Sequence, residues 1–90
     1  MKNALTDSQI RSLKSGLDRR YEQLRAEIEE GLQRAGEARL AEEVRDLEDE
    51  AFASVLEDLR IAEVSRDVAE ARDIELAVDR LAKGTYGYLS

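Results

Sequence analysis

The sequence predicts an all-α protein: an antiparallel two-helix coiled-coil hairpin with an acidic tip, formed by a single domain over residues 1–90. Three observations predict it. The chain has no proline, only five glycines, and abundant Ala, Leu, Glu and Arg, a composition that favours helix throughout. Apolar residues recur at helical spacing on both sides of the midpoint. Acid is concentrated at the midpoint itself. Residues 39–58 carry eight acidic side chains against two arginines, a net of −6, whereas the other seventy residues carry a net of −1.

The first helix is expected over about residues 7–35. Thr6-Asp7-Ser8-Gln9 reads as a capping box, with Thr6 accepting from the Gln9 amide and the Gln9 side chain reaching back. Ile10, Leu13, Leu17, Tyr21, Leu24, Ile28 and Leu32 then follow at spacings of three and four, one stripe along a helix. Gly31 and Gly36 each weaken the last turns by about 1 kcal/mol relative to alanine, which suits the approach to a turn.

The tip is expected over about residues 36–48, where Ala38 to Val44 has room for one further helical turn. The second helix is expected over about 49–83, starting between Asp46 and Asp49. It carries Phe52, Val55, Leu56 and Leu59 and then Ile61, Val64, Val68, Ala71, Ile74, Val78 and Leu81. These are two overlapping stripes, and they read as a wider apolar face than the first helix offers. Gly84 is placed to terminate the helix, with residues 84–90 as a tail. Antiparallel pairing would set Leu32 near Phe52 and Leu24 near Leu59. A lone hairpin buries a single seam, so the surplus stripe calls for a cover: a second copy in a homodimer, a further domain, or a partner.

Composition narrows the function. A net charge of −7 argues against direct nucleic-acid binding, which needs a basic face. Cysteine and histidine are both absent, which removes disulfides, thiolate and imidazole chemistry and the usual zinc ligands. No cofactor or metal ligand set is therefore expected in this chain. No apolar run reads as a signal peptide or a membrane span, so the expected location is cytoplasmic. A two-helix rod has no cleft in which paired carboxylates would acquire shifted pKa values, so an enzyme is not expected.

The acidic centre has two readings. In the bland one, Asp46 caps the second helix and Asp49, at its third position, favours the positive end of the helix dipole. In the other, a narrow acidic point is built for insertion, and focused charge steers it to a recessed basic or metal-bearing site.

The residues that decide between them are Asp46-Leu47-Glu48-Asp49-Glu50-Ala51, of the form D-x-x-D-x-A, together with Gly84-Thr85-Tyr86-Gly87-Tyr88 at the end of the second helix. This arrangement resembles the DksA/TraR family of bacterial transcription regulators over nearly the whole chain. In that family a coiled-coil hairpin bears D-x-x-D-x-A at its tip and runs into a G-x-[YF]-G-x-C segment opening a four-cysteine zinc finger. The resemblance implies a non-catalytic regulator that binds RNA polymerase by inserting the tip through the secondary channel, without contacting DNA. It implies Asp46, Asp49 and Ala51 as the tip determinants, Asp49 foremost, and Arg66 as a lesser contact on the outer face of the second helix.

Several positions depart from the family. Leu47 stands in place of a proline and Glu50 in place of a basic residue, which makes this tip more acidic. Asp73 falls where the type member has a lysine associated with the alarmone ppGpp, so a response to that nucleotide is not implied. Leu89 occupies the first zinc-cysteine position, and the chain is read as the coiled-coil part lacking the zinc finger. The alternative is a structural coiled-coil adaptor or self-associating helical protein with no polymerase role, in which the acidic turn only caps a helix.

Overall fold

A computed structural model describes residues 6–83. The described chain is all-helical, and it contains four α-helices where two were expected. They are α1 (Asp7–Arg34), α2 (Ala38–Arg45), α3 (Asp49–Asp58) and α4 (Ser65–Ala82), with a 3-10 turn at Ala62–Val64 between the last two.

The start of α1 follows the sequence closely. Thr6 is extended and its hydroxyl accepts from the Gln9 amide at 3.1 Å, while the Thr6 amide donates to Gln9 Oε1 at 2.9 Å. Its 28 residues span about 42 Å at 1.5 Å per residue. The helix closes on Gly36, whose φ of +84° lies in the left-handed region open to glycine. The Glu37 amide donates to Leu32 O at 2.8 Å and the Gly36 amide to Gln33 O at 3.1 Å, the paired bonds of a Schellman terminus.

The expected tip holds a full helix of its own. In α2, Ala41 and Val44 are buried, and the helix packs back along α1, with Arg45 3.5 Å from Glu29. The chain turns again at 46–48, and α3 begins at the level of Arg25, to which Asp49 is bound. From there α3 carries the chain back toward the far end of α1, where Val64 packs on Gly31. A Cβ at Gly31 would lie 2.5 Å from Val64 Cγ1, so the glycine allows this close approach. It is buried in the packing, and it does not mark a weakened end of the helix as its position in the sequence suggested. α4 then runs antiparallel to α1, with Glu75 bonded to Tyr21.

The expected single helix over 49–83 is broken at residues 59–61, where Leu59 (ψ 124°) and Ile61 (ψ 120°) are extended. The cause lies in the two stripes. Continuing the Phe52, Leu56, Leu59 series at helical spacing leads to 63, 67 and 70, about one residue, or about 100°, out of phase with Val64, Val68 and Ala71. A straight helix cannot turn both toward one partner. Breaking the backbone lets each stripe face the same core, which combines Leu24, Ile28 and Leu32 with Ala41, Val44, Phe52, Leu56, Val64, Val68, Ala71 and Ile74. The surplus stripe is thus packed inside, and Leu76 is the one large apolar side chain exposed among the described residues. Leu32 and Phe52, expected as neighbours, belong to this one core, and Phe52 also packs against Tyr21, edge to face with ring centroids 5.8 Å apart.

The result is a rod of 51 × 21 × 18 Å. Its end remote from Thr6 is formed by Ala35–Glu37 and the 3-10 turn, and not by the acidic segment.

Candidate protein-binding site

The acidic segment forms the corner between α2 and α3. Asp46 is the C-terminal cap of α2, not the N-cap of the helix that follows. Glu48 occupies that N-cap position without a side-chain capping bond, and Asp49 is the first residue of α3, not the third. Asp49 and Glu50 lie in the first turn of α3, at the positive end of its dipole. The Asp46 and Asp49 side chains are 80% and 79% exposed, and Ala51 is exposed beside them.

Sequence and structure differ on where this corner points. It stands against the middle of the rod, held there by Arg25 of α1. The Arg25 guanidinium donates to Leu47 O at 2.7 Å, to Val44 O at 3.1 Å and to Asp49 Oδ1 at 3.0 Å. It also lies 4.3 Å from the centre of the Phe52 ring. Its planar fork thus satisfies two carbonyls at the end of α2, one carboxylate of α3 and one aromatic face. Arg25 is absent from the sequence-derived site, yet a signal was there. With Tyr21 and Ile28 it falls at i, i+4 and i+7, a cation set on the apolar face.

Arg66 is exposed on the first turn of α4. It lies two residues beyond Val64, which packs on Gly31, whereas Asp49 is bound to Arg25, six residues or about 9 Å back along α1. The structure therefore brings Asp46, Asp49 and Ala51 together at the α2–α3 corner and places Arg66 on a different helix, α4. Residues 84–90, with the Tyr86-Gly87-Tyr88 segment, Leu89 and the expected terminator Gly84, lie outside the described residues.

Beside the corner, on the side facing α4, is an open groove of about 550 Å³. Its floor is apolar, from Ala53, Ile74, Val78 and Ala82, with the Tyr21 ring at one wall. Its rim is acidic, from Asp18, Asp49, Glu50, Glu75 and Asp79, and among the described residues no lysine or arginine lines it. Burial, and then the bond its hydroxyl donates to Glu75, push the Tyr21 phenol above its ordinary pKa. Further along the α1–α4 seam, Arg20 grips Glu70 with two parallel bonds of 2.7 and 2.9 Å, and that contact holds the Glu70 carboxyl below its usual range.

Among the described residues no group of three or more His, Cys, Asp or Glu converges to hold a metal ion, and no helix is long and apolar enough to cross a membrane. The zinc finger implied by the family resemblance does not fit these residues, because the chain has neither cysteine nor histidine to ligate zinc. Compared with protein-family models, curated proteins and solved structures, the chain matches none.

Proposed function

We propose that the chain is a non-catalytic binding module that engages bacterial RNA polymerase through the acidic corner at Asp46, Asp49 and Ala51. The observation that carries this reading is presentation. All three residues are exposed at the corner, where Arg25 holds the Asp49 carboxylate and the Leu47 carbonyl without burying either acid, and Asp46 stands beside Arg45. The D-x-x-D-x-A pattern and its distance from Tyr86-Gly87-Tyr88 resemble the DksA/TraR family, and that resemblance is what names the polymerase.

The folded form carries the corner partway along the rod, where it suits a shallow basic surface. Delivery down the long, narrow secondary channel demands more. The α2–α3 hairpin has to leave α1, and α3 and α4 have to join through residues 59–61 into a single prong. No glycine or proline lies between Glu37 and Lys83 to forbid that joined helix, and it would forfeit the Arg25 contacts and the burial of Phe52 and Leu56. Focused negative charge steers the encounter in either form.

Retention on immobilised core RNA polymerase tests the reading. The wild-type chain is expected to be retained, and Asp49→Asn to lose most of that retention with an unchanged circular dichroism spectrum. Equal retention of the two proteins, or none of either, would overturn it.

A further inference from the structure

Along α1, Leu24, Ile28 and Leu32 are buried, but the same stripe continues toward the N-terminus as Ile10, Leu13, Leu17 and Tyr21, which are only partly buried. The difference follows from coverage. Two helices of this sort need a third to close their seam. The α2–α3 hairpin supplies it for the C-terminal half of α1, and α3 begins at the level of Arg25. The groove floored by Ala53, Ile74, Val78 and Ala82 opens there, at the boundary between the covered and uncovered halves.

We infer that this groove is a docking site for a basic amphipathic helix of a partner protein. Such a helix would lie along the α1–α4 seam below the start of α3, with apolar side chains on the groove floor and lysines or arginines against the rim. Charge complementarity identifies the occupant. Five carboxylates surround the floor and, among the described residues, no cation lines it. Three of the five have neighbours elsewhere: Asp18 with Lys14 at 2.8 Å, Asp79 with Lys83 at 2.9 Å and Asp49 with Arg25 at 3.0 Å. The first two pairs are exposed contacts between successive turns of one helix, which are weak and readily exchanged for an incoming cation. Glu50 makes no ion pair among the described residues. An acidic helix would crowd like charge on the same rim and a neutral one would leave it unmatched, and a second copy of this chain, with its net charge of −7, is disfavoured by the same repulsion.

The apolar floor supplies affinity, and the acidic rim supplies orientation and encounter rate. The site goes beyond the polymerase reading, because α1 and α4 build the groove whatever assembly provides the helix.

The test is a titration of the full chain with three synthetic peptides. One is an amphipathic helix with leucines at i, i+3, i+4 and i+7 flanked by arginines. The second scrambles its order, and the third replaces each arginine with glutamate. Binding is read by fluorescence anisotropy, and location by amide chemical shifts. Only the first peptide is expected to bind, moving signals from Asp18, Tyr21, Ala53 and residues 74–82 and weakening as salt is raised. Glu50→Lys with Asp79→Lys is expected to weaken it about tenfold or more. Ala82→Arg, at an exposed position that tolerates a long side chain, does the same if the double variant folds poorly. Equal binding of the scrambled peptide, shifts elsewhere, or unchanged affinity in the folded variants would overturn the inference. So would sedimentation showing that the groove is filled by a second copy. Nuclear Overhauser contacts from Tyr86 or Tyr88 to the groove would assign it to the chain's own tail and overturn it equally. Polymerase retention does not enter these readouts, so failure of either idea is visible separately.

Discussion

Arg25 joins more of the molecule than any other charged side chain described. Two of its three guanidinium nitrogens, Nη1 and Nη2, reach the carboxylate of Asp49 and the carbonyls of Val44 and Leu47, and its plane covers Phe52. Removing it leaves two partly buried carbonyls without that donor, and hydrogen bonds to a charged group contribute about 1.5–3 kcal/mol each. Arg25→Ala is therefore expected to lower stability by about 2–4 kcal/mol in urea denaturation, and lysine, lacking the fork, should recover less than half of that. Asp49→Asn removes one exposed contact and is expected to change stability by less than about 1 kcal/mol. The asymmetry separates a positioning cation from a presented anion. Tyr21 gives a second prediction. Its phenol pKa is raised in the fold by burial and by Glu75, so the folded state holds the proton more tightly than the unfolded one. That contribution is complete below the unfolded value near pH 10 and is lost as pH rises through the folded value. An absorbance titration of the three tyrosines should show a late step, absent in Tyr21→Phe; persistence of the step in the variant would refute it.

At the scale of elements, α1 was legible because its signals are local. The Thr6–Gln9 box, the single stripe and Gly36 each act within a few residues. The segment 36–83 was less legible, because what shapes it is the choice between two packings of the same helical sequence. Ala41 and Val44 bear too few apolar atoms to announce a helix of eight residues, yet both are buried once α1 provides a surface. The overlap of stripes after Phe52 was visible in the sequence but reads equally as a broad face or as a phase slip. The position of Gly31, which admits Val64, is consistent with the slip. Arg60→Pro distinguishes the two. Leu59 already has the extended backbone that a residue preceding proline prefers, with ψ 124°, so the fold should lose less than about 1 kcal/mol. A continuous helix at that point would lose about 3 kcal/mol or more. Thermal denaturation of the variant measures which holds. The acidic corner was legible as a cluster, and its place on the rod was not, because Arg25 lies far from it in sequence.

For the molecule as a whole, elongation and uneven burial go together. A Cα radius of gyration of 15.1 Å exceeds the roughly 12 Å expected of a compact domain of this length. The large fully buried side chains Leu24, Ile28, Leu32, Val44, Phe52, Leu56 and Val64 lie in or against the C-terminal half of α1, while no residue of α1 before Leu24 is buried. Native-state hydrogen exchange should follow that gradient. Amides from Leu24 to Leu32 should exchange only on global unfolding, and those from Arg11 to Leu17 through local opening at lower free energy. Uniform protection along α1 would contradict it. A soft N-terminal half beside an acidic groove is also where an added helix would raise protection most.

The extended break at Leu59–Ile61 has a consequence for how the chain tolerates changes in length. Within α1, inserting one residue would rotate everything downstream by about 100° and turn half of its stripe into water. Between α3 and α4 the same insertion only alters the course of a short connector, because neither helix inherits its rotational setting from the other. At this joint the chain can be lengthened or shortened while the remainder keeps its alignment.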